Sequence, residues 1–436
     1  MKEKITLKIF NFFINSKDFN GIPLRQISED LKVDYEESIN IIKELVQENK
    51  IVIQSSTNPN IIGKFHYPIK SQLEILESSK KTEVRYQTFG SVKFSIEKTD
   101  YPICLYPSTA YLKDHRNLEK FGFSHYSKKL ALGEPQLKPI FFEIEVLERY
   151  YNDPRFEFEL EDYSGKVSCK YDDLYNPLVR KEDDIYIKSF GIGFDEDGNR
   201  LAVVFLRYLK NLTGEHQIFW KSKEKDGSCK ILKEYYENTI EGKWTFSYSI
   251  FSAFLQELKC VNELTNLIFD IPLFNEAFEK EKRPREFTFF FTPTIKNFHD
   301  FIHLLDKLIS DNINKSFFKN KIQLFELKEE NGYHVKENKG TLRLLEEWLS
   351  TQFNIEGEGS ISDVIKPFKV IRKERQLPAH KINENVYDIK LIERQKEIIT
   401  DAYNSMRQLR NIFNLHPKAK NYKIPNWLEN GNIINI

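Results

Sequence analysis

The stretch LRQISEDLKVDYEESINIIKELVQENKIV, residues 24–52, decides how the first part of the chain is read. Leu24, Ile27 and Leu31 recur at helical spacing after Pro23, and Val33-Asp34-Tyr35 reads as a turn. Ile39, Ile42, Leu45 and Val46 predict the next helix. Upstream, Ile5, Leu7, Ile9, Phe10 and Phe13 mark an earlier one. Downstream, Ile51-Val52-Ile53 and Ile61-Ile62 flank the turn residues Thr57-Asn58-Pro59-Asn60 and predict two short strands paired as a hairpin.

Three helices followed by a hairpin resemble a winged helix-turn-helix over residues 1–68. The resemblance extends to the order of elements and not to the charge of the helix that would enter a DNA groove. That helix, residues 35–50, carries Glu36, Glu37, Glu44 and Glu48 against Lys43 and Lys50. A helix approaching phosphates needs the opposite bias. Protein contact or a structural role is therefore the expectation for this segment.

Composition bounds the rest. At roughly 150 residues per domain, 436 residues imply about three domains. Lys plus Arg equals Asp plus Glu at 65 each, which excludes a histone-like coat of one sign. Only 17 glycines are present, and no P-loop, GxGxxG or Gly-x-Ser-x-Gly occurs, so no cofactor is expected. Cys104, Cys169, Cys229 and Cys260 are scattered without a CxxC pair, as in a reducing cytoplasm. Lys4 and Lys8 interrupt the N-terminal apolar residues, which lack a signal-peptide core. Apolar runs such as Leu201–Leu206 are far shorter than the ~20 residues of a membrane span. A cytoplasmic protein without membrane contact is expected.

Residues 69–260 read as a β-rich domain of unknown role. FEFELEDYSGKVSCKYD (156–172) alternates and turns at Ser164-Gly165. IYIKSFGIGFDEDGNRLAVVFLRYL (185–209) reads as two strands around Asp195–Asn199, an acidic turn that lacks the final glutamate of a calcium loop. Glu215-His216-Gln217, beside Trp220, reads as a strand with a structural histidine.

From 261 onward the periodicity becomes helical. Phe298, Phe301, Ile302, Leu305 and Leu308 form one stripe, and Leu342, Leu344, Leu345, Trp348 and Leu349 a second. A third helix runs from Ile361 to His380, and a fourth carries Ile398, Ile399, Ala402, Met406, Leu409 and Phe413. Together they predict a four-helix bundle, with the tail beyond His416-Pro417 packed back on it.

The third helix enters the phrase VIRKERQLPAHKINENVYD (370–388), which holds Arg375 and His380 with four residues between them. This resembles the RxxxxH motif of HEPN-domain ribonucleases and toxins, carried on the same helix of a similar bundle, over roughly residues 294–415. The resemblance implies a metal-independent endoribonuclease, often a growth-arrest toxin or anti-phage defence effector, whose site forms where two HEPN domains dimerise. Arg375 and His380 would be catalytic. Gln376 stands where the family often has Asn, and Ile382 where one subgroup carries a Tyr that accepts AMP.

The chemistry of the residues agrees with that use. A histidine moves protons between ribose 2′-OH and leaving oxygen near neutral pH, and a planar guanidinium clamps the phosphate. Positions five apart on a straight helix lie about 140° apart, so convergence of Arg375 with His380 needs a kink, for which Pro378 is placed. Arg372 and Gln376, at four-residue intervals from His380, are expected to bind substrate together with Lys373 and Lys381. From Asp363 to Lys423 there are 14 basic and 7 acidic residues, which predicts a basic face. His299 and His303 form an HxxxH beside Asp300 and Asp306, but the zincin glutamate is missing, and no metal is expected there.

The sequence thus predicts an α+β multidomain chain: a winged-helix-like domain (1–68), a β-rich domain (69–260) and a HEPN-like helical domain with a C-terminal tail (261–436). The expected function is a hydrolase acting on RNA, homodimeric through the helical domain, with a protein trigger or partner at the upstream domains. The alternative is a non-enzymatic winged-helix transcriptional regulator or RNA-binding scaffold with a helical dimerisation bundle.

Overall fold

Asp34 starts the third helix where the turn was expected, its carboxylate accepting from the backbone N–H groups of Glu36 and Glu37. In this computed structural model the described residues are 1–16, 18–56, 58–59, 62, 67–80, 83–89, 92–98, 102–278, 283–330, 333–353, 359–376 and 384–434. They form a mixed α+β structure that divides into two compact units, one of residues 1–158 and 165–231, the other of residues 159–164 and 232–436. No helix among them is long and apolar enough to cross a membrane.

In the first unit, α1 (Lys2–Asn15), α2 (Leu24–Leu31) and α3 (Tyr35–Gln47) turn Ile5, Ile9, Leu24, Ile27, Ile39, Ile42, Leu45 and Val46 into one buried core. The second strand of the expected hairpin includes Ile61, outside the described residues, and among these the first strand enters a longer-range pairing. β1 (Ile22–Pro23) and β2 (Ile51–Ser55) flank a strand some fifty residues downstream, β3 (Ile103–Pro107). Ile53 pairs with Leu105, and both are fully buried, so the apolar face of β3 completes the core.

The cations of α3 and its flank are already engaged. Lys43 pairs with Glu77 at 2.5 Å, Lys50 with Glu48 at 2.7 Å, and Lys2 reaches both Glu44 and Glu48. Sequence-specific duplex binding through this helix is expected to be weak. Fluorescence anisotropy with random and selected duplexes at physiological salt should give no nanomolar operator that depends on residues 35–50.

The larger sheet holds β4 (Pro139–Glu143), β5 (Phe156–Leu160), β6 (Ser164–Cys169), β7 (Tyr186–Phe194), β8 (Arg200–Phe205), β9 (Glu224–Lys225) and β10 (Lys230–Ile231). Their order is β9-β4-β8-β7-β6-β5, with β10 paired to the end of β7. Ser164 and Gly165 lie in β6, so the first predicted turn falls instead at residues 161–163, where the Glu161 N–H donates to the Ser164 carbonyl at 2.8 Å. At the second turn the Asp195 carboxylate accepts from the N–H groups of Asp197 and Asn199 and from the Asn199 side chain. Its oxygens close the hairpin. Gly193 is required, since a Cβ there would lie 2.7 Å from both the Lys230 carbonyl oxygen and Val203 Cγ2.

The stretch around His216 is a helix, α4 (Gly214–Ser222), with Thr213 as its N-cap. Strand alternation was the wrong period because Gln217 and Trp220, three apart, are the fully buried pair. His216 is 1 % exposed, and its Nδ1 lies 3.2 Å from the Asp184 carbonyl oxygen, which only accepts. Nδ1 therefore carries the proton, and buried Nε2 has no partner among the described residues. Burial first, then the Arg149 charge, holds this imidazole below its ordinary value. The unfolded chain consequently binds its proton first as pH falls through about 6.5, and the stability contributed by neutral His216 declines below that point. Thermal unfolding from pH 7.5 to 5 should lose part of its acid slope in His216→Gln. An identical slope in both proteins would contradict this assignment.

The second unit contains α5 (Ile250–Phe269), α6 (Ile295–Asp306), α7 (Thr341–Gln352), α8 (Ile361–Gln376) and α9 (Lys390–Asn414). Every residue of the three stripes expected on α6, α7 and α9 is buried, including Leu308 just past α6. The boundary expected at 260 falls inside α5, which packs along α9, so a fifth long helix joins the four predicted ones. α8 packs against α6, α7 and α9. Trp348 anchors an aromatic cluster with Phe269, Phe317, Phe318 and Phe413. The tail returns to this unit, pairing Ile433–Ile434 in parallel with Tyr248–Ser249 and placing Trp427 against Tyr248.

Candidate functional site

Arg372 and Arg375 lie three apart in the last turns of α8 and so share one face. Opposite them α6 runs directly into a π-helical turn, Lys307–Asp311. Residues five apart on an α-helix diverge by about 140°. The wider π turn brings Asp306 and Asp311 onto one face, toward α8. Arg372 Nη1 donates to Asp306 Oδ2 at 2.7 Å and to Asp311 Oδ1 at 2.9 Å. Arg375 Nη1 donates to Asp306 Oδ2 at 2.5 Å and to Asp311 Oδ2 at 2.7 Å.

Both guanidinium groups are held by one nitrogen only. Among the described residues neither Nε nor Nη2 of Arg372 or Arg375 makes a hydrogen bond. Among the described residues the Nε/Nη2 edge, which suits bidentate contact with an oxyanion, has no partner on either. Asp306 is fully buried, and its Oδ1 has no partner among the described residues. Burial pushes the Asp311 carboxyl up, but hydrogen bonds from Arg375 and Arg372 outweigh it and hold the group below the usual range. Bonds to Asp311 and Asp306 raise Arg375 above its ordinary value.

The residues marked in the sequence separate into three groups. Arg372 and Arg375 meet in this cluster, together with Asp306, which had been noted only beside the HxxxH. Gln376 ends α8 and is exposed, as is Lys373. His380 and Lys381, with Pro378 and Ile382, lie outside the described residues. The helix expected to reach His380 is described to Gln376, and its internal proline is Pro367.

His299 and His303 both sit on α6, His299 with its ring beside Phe298 and His303 exposed. Desolvation, then the charges of Arg375 and Lys307, holds His303 below its ordinary value, so it is largely neutral at pH 7. Among the described residues no group of three or more His, Cys, Asp and Glu side chains is arranged to hold a metal ion. Asp311 was missed in the sequence because five-residue spacing from Asp306 is out of phase with an α-helix, and nothing in LDKLISD marks a π turn.

Five of the 14 cations of the basic face expected over 363–423 are held in ion pairs. Besides Arg372 and Arg375, Lys369 binds Glu346 at 2.6 Å, Arg394 binds Glu374 at 2.9 Å and Arg410 binds Glu257 at 2.8 Å. The acids come from α5, α7, α8 itself and the α6 turn, so a count along one segment overstated the field. Comparison of the chain with family models, curated proteins and solved structures gives no match in any of the three.

Proposed function

We propose that the helical unit is a metal-independent endoribonuclease of HEPN type. The observation that carries this reading is the pair Arg372 and Arg375, which among the described residues are held by Asp306 and Asp311 through Nη1, with no partner on the Nε/Nη2 edges, on the helix that precedes His380 in the chain. A guanidinium held in this way is positioned before substrate arrives and retains the fork that clamps a phosphate. His380 transfers protons as the ribose 2′-oxygen attacks phosphorus and the bond to the 5′-oxygen breaks. Lys373, Gln376 and Lys381 contact the RNA backbone. The active form is a homodimer through the helical unit in the cytoplasm, and the winged-helix-like segment and the sheet of the first unit receive a trigger for growth arrest or phage defence.

The test is incubation of the purified chain with total RNA in EDTA, beside His380→Ala. EDTA-resistant cleavage by the parent protein that disappears in the variant is expected. Equal cleavage by both would reject His380 as the proton-transfer group.

A second reading has its own support. Two carboxylates and two guanidinium groups neutralise one another, as in a structural staple between α6 and α8 of a non-enzymatic scaffold. Absence of cleavage by the parent protein across dimer-forming concentrations would favour it.

A further inference from the structure

The first unit contains a cavity of about 690 Å³ into which cations and aromatic rings converge. Its lining includes Phe19, Phe121, Tyr186, Lys188, Arg207 and Lys210. Tyr186 and Lys188 alternate on β7 with buried Ile187 between them, so both face outward on one side of the strand. Arg207 and Lys210 come from the helical turn that follows β8. Phe19 and Phe121 are bridged from behind by Arg116, whose guanidinium carbon lies 5.0 Å and 5.3 Å from the two ring centroids.

The charges are unbalanced. Asp18 is the carboxylate in the lining, and Lys210 Nζ holds it at 2.6 Å. Lys188 and Arg207 form no ion pair among the described residues, although Arg207 lies close enough to Asp18 to favour its ionised form. Tyr186 is 53 % exposed. Two cations without a salt-bridge partner and several aromatic rings around one opening match a ligand with a negative group and a flat ring. The volume falls within the roughly 300–1,000 Å³ typical of small-molecule sites.

We infer that this cavity binds a nucleoside monophosphate, its base against the Phe19, Phe121 and Tyr186 rings and its phosphate on Lys188 and Arg207. A paired base would have its faces covered by neighbours, so a duplex does not meet this chemistry. The site lies outside the helical unit, and the inference does not rest on the ribonuclease reading.

Titration calorimetry of the full chain tests it. The probes are the four ribonucleoside 5′-monophosphates, the matching nucleosides, inorganic phosphate and a non-cleavable 2′-O-methyl decanucleotide. At least one monophosphate should bind with 1:1 stoichiometry, at least 10-fold more tightly than its nucleoside or phosphate. The double variant Lys188→Ala/Arg207→Ala should lose at least 10-fold of that affinity with an unchanged melting temperature. No binding by any of the four, equal binding by the variant, or phosphate binding as tightly as the nucleotide would overturn the assignment. So would a decanucleotide bound over 100-fold more tightly than every monophosphate, which would mark a strand channel instead.

Discussion

Arg410→Ala is expected to destabilise the second unit by about 3–5 kcal/mol, because it strands a buried carboxylate. Glu257 on α5 is fully buried and receives Arg410 Nε at 2.8 Å and Nη2 at 3.0 Å, while Arg410 Nη1 donates to Asn411 at 2.7 Å. The pair links α5 to α9 at the seam between the two longest helices described. Removing the cation alone leaves the anion without its fork. Removing both charges removes that penalty, so Glu257→Leu/Arg410→Met should retain most of the parent stability and exceed that of Arg410→Ala. Urea unfolding of the full chain, followed through Trp348 and its neighbours, distinguishes them. An Arg410→Ala loss below about 1 kcal/mol would contradict the reading of this pair as desolvated and mutually dependent.

Arg375→Lys is expected to lower RNA cleavage by roughly 100-fold or more under the proposed function, with the helical unit still folded. Lysine keeps the charge near Asp306 and Asp311 but has no second edge with which to clamp a phosphate. Asp306→Asn tests the same geometry from behind. It keeps the shape of the side chain beneath Arg372 and Arg375 and removes the charge that orients both. If Asp306 is a positioning residue, its variant should lower kcat more than it raises KM, and Arg375→Lys should add little further loss. Under the staple reading the same substitution lowers the melting temperature and leaves any RNA binding unchanged. Full activity in Arg375→Lys would remove the arginine fork from the mechanism.

The helices were legible because their burial is periodic. Phe298, Phe301, Ile302 and Leu305 on α6, and Ile398 through Phe413 on α9, repeat at the spacing of one helical face, and each is buried as that spacing requires. Nearest-neighbour signals also placed the start of α3 at Asp34 and the turn at Asp195. The RxxxxH was readable because it is a local string, of which Arg375 lies on α8 and His380 outside the described residues.

What the tertiary structure decided is everything that depends on which distant segments meet. Among the described residues the partner of β2 is β3, whose Leu105 joins the buried core. α4 is helical because Gln217 and Trp220 are buried together. The Asp306–Asp311 cluster exists only because a π turn changes the phase of α6 by one residue and α8 packs against it. Local spacing fixes the face a side chain occupies on its own element, but the ion pairs, the cavity and the sheet order depend on contacts between elements far apart in the chain, which no local period encodes.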